Sequence, residues 1–266
     1  MKVKKFFVTA DSHVLFERGK ISGVDLITNN AIVKYLEDNG PYDGYIHLGD
    51  NYDMNLISDH NKNKLRAVEG QRLVDDYAAG NAYLTQHWTA AGKPKAFYLI
   101  EGNHEFRVQR YIDANPALDG VVNVEKHLPK FVKYVPFWSK HEILTIGKAS
   151  FIHGLSTGVR QTASALRDYG TNIFQGHIHR RELMSMRYHG PDSTKVAESL
   201  PCTCLYAQPY LAGKPTAWQQ GHAEFFFHPD GLFNYYVTSI FDHAFVSSAG
   251  NYYDGKRMRP DTRMVL

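Results

Sequence analysis

The chain has 266 residues, and its 30 lysines and arginines exceed its 27 aspartates and glutamates to give a formal net charge of +3 with neutral histidines. Hydrophobic residues make up 43% and charged residues 21%, which excludes a chain too polar to bury a core. The longest apolar runs are far shorter than the roughly 18 residues that cross a bilayer. A charge of +3 is too small by itself to indicate nucleic-acid binding. We therefore expect a soluble protein with no membrane partner.

The N-terminal segment predicts no signal peptide, because Asp11 and His13 interrupt the apolar run from Phe6 before it reaches about 7 residues. Cys202 and Cys204 are two residues apart, as on one face of a strand, where two thiols seldom meet as a disulfide. This favours a reducing, cytoplasmic location. Because no repeat, low-complexity stretch or linker divides the sequence, we predict a single domain over residues 1–266.

The first half of the chain alternates short apolar runs with helical patterns. Strands are predicted at 6–9, 45–48 and 96–100, and helices at 25–39, 65–90 and 105–115, although Gly70 and Gly80 weaken the second helix. Further along, the patterns predict strands at 131–136, 142–146, 149–153 and 172–174 and a helix at 161–169. Two last strands, at 223–227 and 232–240, flank the hairpin residues Pro229-Asp230-Gly231. The predicted fold class is α/β with mixed sheets.

Five short polar segments each follow a predicted strand. They are Asp11-Ser12-His13, Gly49-Asp50, Gly102-Asn103-His104-Glu105, His153-Gly154 and Gly176-His177-Ile178-His179. Ligands bind beyond the carboxyl ends of strands in α/β sheets, so these segments can converge on one crevice. Composition predicts about one chance Asp-x-His in such a chain, but only about 0.06 Gly-His-x-His and about 0.002 Gly-Asn-His-Glu. The ordered set is therefore specific.

Carboxylates, a carboxamide and several imidazoles are the ligands of Mn, Fe, Co, Ni or Zn rather than of Mg or Ca alone. The segments supply too many ligands for one ion. Two ions that share a bridging carboxylate can hold a water as hydroxide and clamp a phosphoryl group for displacement. A thiolate-based zinc site is excluded, because Cys202 and Cys204 are the only cysteines.

The five segments, in this order over residues 11–179, resemble the signature of the calcineurin-like metallophosphoesterases. Within this family the sequence most resembles small stand-alone members from bacteria and phages, although this resemblance is looser than that of the five segments. It implies two facing mixed β-sheets flanked by helices and two divalent metals, with Mn²⁺ the expected activating ion. One metal would be held by Asp11, His13 and His179 and the other by Asn103, His153 and His177, with Asp50 bridging them. His104 would contact the phosphate and protonate the leaving group.

The substrate is predicted less sharply than the metal site. Met54-Asn55 stand where the phosphoprotein-phosphatase branch has Arg-Gly, which removes an arginine suited to a dianionic monoester. Side chains that could stack on bases or pair with a nucleic-acid backbone lie near the segments; they are Tyr52, Phe106, Arg107, Arg110, Arg180 and Arg181. Arg107 and Arg110 are the candidate substrate ligands. We expect a phosphodiesterase or nuclease acting on nucleic acid or nucleotides, although Glu105 and the modest charge favour the alternative, a phosphomonoesterase.

Two other interpretations compete with this one. Gly154-Leu155-Ser156-Thr157-Gly158 matches the nucleophile elbow of serine hydrolases, with Asp168 and His177 or His179 as triad partners, but this leaves the earlier segments unexplained. A metal-free scaffold of the same fold is the other. The histidines outside the segments are interpreted as structural; they are His47, His60, His87, His127, His141, His189, His222, His228 and His243.

Overall fold

A computed structural model describes residues 2–158, 160–190, 194–208, 211 and 213–258. Its strands, in chain order, are β1 (Lys4–Thr9), β2 (Leu15–Glu17), β3 (Lys20–Ser22), β4 (Gly44–His47), β5 (Ala96–Ile100), β6 (Val132–Val135), β7 (Leu144–Ile146), β8 (Ala149–Ile152), β9 (Asn172–Gln175), β10 (Glu182–Arg187), β11 (Thr194–Ser199), β12 (Gln220–Phe227), β13 (Phe233–Ile240), β14 (Ala244–Val246) and β15 (Tyr252–Asp254). The α-helices are α1 (Leu26–Asn39), α2 (Leu73–Ala90), α3 (Asn103–Ala114), α4 (Val124–His127), α5 (Phe137–Lys140) and α6 (Gln161–Tyr169).

The strands form two mixed sheets. The first has the order β13-β12-β1-β4-β5-β6, in which β1, β4, β5 and β6 are parallel and β12 pairs antiparallel with β1. The second has the order β10-β11-β9-β8-β7, with β8, β9 and β11 parallel. Two further two-stranded sheets pair β2 with β3 and β14 with β15. Parallel strands thus lie at the centre of both large sheets.

Alternating side chains of β1 enter two different cores. Phe6 and Val8 pack between the two sheets with Phe151 and Phe174 of the second sheet. Phe7 packs on the opposite face of the first sheet, in a cluster that includes residues of α1 and α2 such as Ile32, Leu36, Tyr83 and Leu84. A strand buried on both faces shows a continuous apolar run, as Phe6 to Val8 does.

The predicted architecture of facing mixed sheets flanked by helices is confirmed. Helix α1 begins after Asp25, whose Oδ1 accepts hydrogen bonds from the backbone N–H groups of Ile27 and Thr28. The predicted strands and α6 are found within two or three residues of their expected bounds, and the 229–231 hairpin joins β12 to β13. None of the described helices is long and apolar enough to cross a membrane. The single domain over 1–266 stays a prediction.

The predicted helix at 65–90 is wrong in its first part. A 3₁₀ turn at Leu65–Val68 is followed by Gly70, whose φ of +82° lies in the left-handed region, and α2 begins only at Leu73. A positive φ breaks the helical path, and glycine adopts it at little cost. The pattern also missed β2, β3, β10, β11, β14 and β15. Most of these strands have few buried positions, so their sequences lack a clear apolar period.

His222 on β12 is a buried histidine without a hydrogen-bond partner among the described residues, at either ring nitrogen. Its ring lies 4.8 Å from the ring centroid of Phe7, 4.9 Å from that of Phe245 and 5.2 Å from that of Tyr35. Burial lowers the pKa of His222 to about 4, although the charge of Glu224 partly opposes this. The imidazole is therefore neutral in the folded protein at pH 5 to 7.

Replacing His222 by leucine is expected to stabilise the fold. The change removes two unsatisfied polar atoms, each of which costs about 1–3 kcal/mol when buried, and keeps a similar volume. Because the unfolded chain binds a proton at His222 near pH 6.5 and the folded chain only near pH 4, the wild type should lose stability across that window as pH falls. The His222→Leu variant should lose less stability over the same pH range. Urea denaturation at pH 7 and pH 4.5, with exposed His189→Leu as control, measures both effects. If variant and wild type had the same free energy of unfolding and the same change of it with pH, His222 would not be a buried imidazole that costs stability.

Candidate metal centre

The loops that follow β1, β4, β5, β8 and β9 meet at one edge of the two sheets. The backbone N–H of Asp11 donates to the carbonyl of Gly49 at 3.1 Å, and that of His13 donates to the carbonyl of Asp50 at 2.9 Å. The N–H of His177 donates to the carboxylate of Asp11, 2.9 Å from Oδ2. The last of these bonds connects the two sheets. All seven residues predicted as metal ligands lie in one cluster.

Four of these residues form a first group whose potential ligand atoms all lie within 4.8 Å of one another: Asp11, His13, Asp50 and His179. The Nε2 atoms of His13 and His179 are 3.1 Å apart. Asp11 Oδ1 lies 3.4 Å from His179 Nε2, and Asp50 Oδ2 lies 3.7 Å from His13 Nε2. All four side chains are buried.

A second group shares Asp50 with the first. Asp50 Oδ2 lies 3.4 Å from His153 Nε2, and His177 Nδ1 lies 3.2 Å from the same nitrogen. The side-chain oxygen of Asn103 is 3.1 Å from His153 Nε2, so the carboxamide belongs to this group as well. The structure therefore places the predicted ligands in two groups joined by one carboxylate.

Asp50 is held from both sides. Its Oδ1 accepts a hydrogen bond of 2.9 Å from the backbone N–H of His104 in the first turn of α3, where the helix dipole favours negative charge. Burial alone would raise the pKa of Asp50, but the imidazoles of His104 and His153 outweigh it and hold the pKa well below its usual range. The shared carboxylate is ionised.

The chemistry of this donor set fits divalent transition metals. His153 Nδ1 donates to the carbonyl of Leu48 at 2.8 Å, which turns Nε2 toward Asp50 and Asn103. Burial opposes protonation of His153, yet the carboxylates of Asp50 and Asp11 raise its pKa to about 9. The cluster thus favours positive charge at this nitrogen, and a divalent ion would supply it in place of the proton.

The backbone around the cluster is strained. A positive φ is uncommon outside glycine and costs about 1–3 kcal/mol where the surroundings enforce it. Five of the seven predicted ligands have one, between 47° and 74°: Asp11, His13, Asp50, His177 and His179. Such strain is typical of functional sites, because it places side chains where regular strands and helices would not.

Two glycines let the backbone approach the cluster closely. A Cβ at Gly102 would lie 2.2 Å from Asp50 Oδ1, and one at Gly49 would lie 2.6 Å from His153 Nδ1. Gly49 also has a φ of +100°. Both positions therefore require the absence of a side chain.

A cleft of about 340 Å³ opens over the cluster and is lined by His13, Asp50, Asn103, His177 and His179. His104, Arg107, Arg180 and His60 also line it. His60 was interpreted from the sequence as structural, and its position in the wall of the cleft was not foreseen.

The family model of calcineurin-like phosphoesterases matches residues 4–186, more than half of the chain. The chain belongs to the calcineurin-like phosphoesterase family. The sequence resemblance is thereby confirmed. No match was found among curated protein sequences.

Solved structures that resemble the chain have low sequence identity to it. Vps29 from Chaetomium thermophilum is 13% identical, with a TM-score of 0.44 and 94% of each chain covered. The NAD nucleotidase NadN from Haemophilus influenzae is 14% identical, with a TM-score of 0.41; the alignment covers 98% of this chain and 54% of NadN, so the chain spans about half the length of that protein.

Glu105 holds the loop that carries Asp50. Its buried carboxylate accepts four backbone N–H bonds of 2.8–3.0 Å, from Gly102, Asp50, Asn51 and Tyr52. The sequence analysis used Glu105 only to judge the substrate. Its position three residues after the N-cap Gly102 is a capping-box signal for the bond from Gly102, but nothing in the sequence indicates the three bonds from residues 50–52.

His104 and Arg107 interact directly at the rim of the cluster. His104 Nδ1 donates to the carbonyl of Asp53 at 2.8 Å, so Nε2 faces outward and accepts a bond of 3.0 Å from Arg107 Nη2. Arg107 Nη1 donates to the same carbonyl at 2.7 Å. Burial, aided by Arg107 and opposed by Asp50, lowers the pKa of His104 to about 3. His104 is therefore neutral in this arrangement. It also forms a potential ligand group with His13 and Asp53, a residue the sequence analysis did not place at the site.

The structure corrects one predicted substrate contact and restricts others. Tyr52 is fully buried with its hydroxyl on Asn81, so it cannot stack on a substrate. Arg180 and Arg181 pair with Glu182 and Glu198. Arg110 is exposed and pairs with Asp59. Phe106 is partly buried, with its ring 6.0 Å from that of Trp138.

The residues of the serine-hydrolase alternative are not brought together. Ser156 is exposed, and its Oγ accepts a hydrogen bond from the N–H of Gly158. Asp168 is exposed and pairs with Arg167. His177 and His179 belong to the two ligand groups instead. Cys202 and Cys204 are free thiols as predicted, and both are buried; Cys204 Sγ lies 3.9 Å from His179 Nδ1.

Replacing Glu105 by glutamine should lower both stability and metal content. A glutamine offers one acceptor oxygen, and its NH₂ group would face backbone N–H donors, so at least two bonds to a charged acceptor are lost, with a cost of about 3 kcal/mol. Urea denaturation in EDTA and metal analysis of the purified protein measure the two effects. Exposed Glu142→Gln is the control and should match the wild type. A Glu105→Gln protein as stable as the wild type would show that these bonds do not hold the loop.

Proposed function

We propose that this phosphoesterase is a dinuclear-metal-dependent phosphodiesterase that acts on nucleic acid or nucleotides. The observation that carries the proposal is the pair of ligand groups sharing Asp50 on the floor of the cleft, with Arg107 and His104 at its rim. Family membership supports the hydrolysis of a phosphoester. Burying two such groups of polar and charged side chains costs stability, and a metal-free scaffold gains nothing that offsets this cost.

The residues would divide between two ions as the family resemblance implies. Asp11, His13 and His179 would hold one ion and Asn103, His153 and His177 the other, with Asp50 between them. When bound, two such ions supply Lewis acidity toward the phosphoryl oxygens and a water acidic enough to attack at neutral pH. The imidazole-rich donor set favours Mn, Fe, Co, Ni or Zn, and we expect Mn²⁺ to activate.

Arg107 and His104 would act on the substrate. In the structure Arg107 donates to His104 Nε2, so that nitrogen carries no proton. A phosphoryl oxygen in the cleft is a stronger acceptor for the guanidinium than a neutral imidazole. If Arg107 turns to the phosphate, His104 Nε2 is released and, beside the negative substrate, takes a proton from solvent water. His104 is then able to pass that proton to the leaving oxygen.

The lining of the cleft supports a diester. Met54, at the position where the phosphoprotein-phosphatase branch has arginine, is buried with no exposed surface, so no guanidinium is offered from this point. Arg107 and Arg180, the two arginines of the cleft, already face Asp53 and Glu182. A monoester carries one more negative charge than a diester. The presence of these two arginines in the cleft therefore favours the second candidate, a phosphomonoesterase.

A substrate comparison in Mn²⁺ tests the proposal. We expect kcat/KM for bis-p-nitrophenyl phosphate and for thymidine 5′-(p-nitrophenyl phosphate) to exceed that for p-nitrophenyl phosphate, with DNA, RNA and a phosphopeptide as natural counterparts. A higher value for the monoester or phosphopeptide would identify a phosphomonoesterase. Asp50→Ala is the control for the metal site: it should purify with fewer than two metals per chain and lose activity. Full metal content with normal turnover in Asp50→Ala would refute the dinuclear site.

His104→Gln should keep the metals and slow turnover by about 10²- to 10⁴-fold, the usual effect of losing a general acid. The loss should be smaller for a p-nitrophenyl ester than for a dinucleotide, because nitrophenolate needs little protonation to leave. Metal analysis and steady-state kinetics on both substrates measure this, with exposed His141→Gln as control. Equal losses on the two substrates would argue against proton donation, and loss of metal would make His104 a ligand.

A further inference from the structure

A second cleft, of about 600 Å³, lies beside the metal centre, and we call it the side cleft. Its walls are the segment around the 3₁₀ turns at Asn55–Ile57 and Asp59–Asn61, the start of α2 and the C-terminal half of α3. Arg107 lines both this cleft and the cleft over the metal centre. The two spaces are therefore neighbours across one arginine side chain.

The wall between the clefts is the segment that contains the two 3₁₀ turns. Asp59 and Asn61 line the side cleft, whereas His60 between them lines the metal cleft. Asn61 Nδ2 donates to both oxygens of Asn55, which closes the segment on itself. The Arg110–Asp59 ion pair ties the segment to α3. Arg107 is the lining residue that the two clefts share, so a substrate that occupied both would pass along its side chain.

The lining of the side cleft combines apolar surface with excess positive charge. Its apolar side chains are Leu56, Ile57, Val68, Leu73 and the aromatic Tyr111. Its charged side chains are Arg107, Arg110 and Lys62 against one carboxylate, Asp59. Such a lining is complementary to a molecule with a flat apolar body and a negative charge, and its volume lies in the range of small-molecule sites.

We propose that the side cleft binds the nucleoside that flanks the scissile phosphodiester, with its further phosphate on Arg110 or Lys62. The proposal rests on the proposed function and names the part of the substrate that would give specificity. The base packs against Tyr111 and the aliphatic side chains, as bases do on aromatic surfaces in single-strand binding proteins. Inorganic phosphate or a methyl ester would reach the metals and leave the side cleft unused.

The arginines have donors to spare for this ligand. Of the five N–H donors of Arg107, the described hydrogen bonds use two, to Asp53 and His104. The side chains of Arg110 and Asp59 are both more than half exposed, so exchanging that carboxylate for a phosphate loses little.

Two variants of different kinds test the proposal. Ala114→Trp places an indole at the exposed end of α3, where position 114 lines the cleft, and Arg110→Glu reverses a charge in it. The measured quantity is the ratio of kcat/KM for 3′-phosphothymidine 5′-(p-nitrophenyl phosphate), which carries the further phosphate, to that for methyl p-nitrophenyl phosphate, so that general effects on the metal centre cancel. We expect each variant to lower this ratio by about tenfold, a plausible value for one lost base or charge contact.

Matched controls carry the same substitutions at exposed positions outside the cleft. Val74→Trp adds an indole on α2, and Arg167→Glu reverses a charge that also pairs with a neighbouring aspartate. Both controls should keep the wild-type ratio. A ratio unchanged in Ala114→Trp and Arg110→Glu overturns the side-cleft proposal and leaves the phosphodiesterase intact. A wild type that cleaves neither ester refutes the proposed function.

Binding measured without turnover gives an independent readout. Calorimetric titration of the Mn²⁺-loaded protein with thymidine 3′,5′-bisphosphate and with inorganic phosphate should show at least about tenfold tighter binding of the nucleotide. Ala114→Trp and Arg110→Glu should remove this preference, while Val74→Trp and Arg167→Glu should keep it. Equal affinity of the wild type for the two ligands would overturn the proposal even where esters are hydrolysed.

Discussion

The carboxylate of Asp50 is the centre on which the site depends. It is buried, it is ionised, and it stands within 3.8 Å of three imidazoles and at the first turn of α3. A buried charge is stable only where its surroundings satisfy it. Gly102 leaves the space for the carboxylate, Glu105 holds the backbone that carries it, and the loops after β1, β8 and β9 supply the positive or polar atoms around it.

The two clefts have different surfaces and therefore suit different parts of one molecule. The metal cleft is lined by imidazoles, two arginines and the carboxylate of Asp50, which suits a phosphoryl group. The side cleft has an aromatic ring, aliphatic side chains and cations. Arg107 belongs to both, and its contact with His104 connects recognition of the substrate to the state of the proposed proton donor. A single helix, α3, carries Asn103, His104 and Arg107 into this arrangement within two turns.

The sequence predicted the parallel strands and helices well because they bury clear apolar runs. Convergence of the five segments was also predictable, since each follows a strand and the carboxyl ends of parallel strands share an edge. The direction of individual side chains was not. Tyr52 follows Asp50 closely in sequence but points into the core under Gly80, and His60 turns into the cleft from a segment with no periodic pattern. The short strands that the sequence pattern missed have few buried positions, so their sequences lack the apolar pattern by which a strand is predicted.

The metal centre joins parts of the chain that are remote in sequence. His13 and His179 are 166 residues apart, and each ligand group takes residues from loops of both sheets. Closing so large a loop costs conformational entropy and makes such contacts slow to form. Ions bound here would cross-link the N-terminal strand to the second sheet without any covalent bond. Metal uptake would then report that both sheets have folded and docked, and its loss would remove a link that spans 166 residues of the chain.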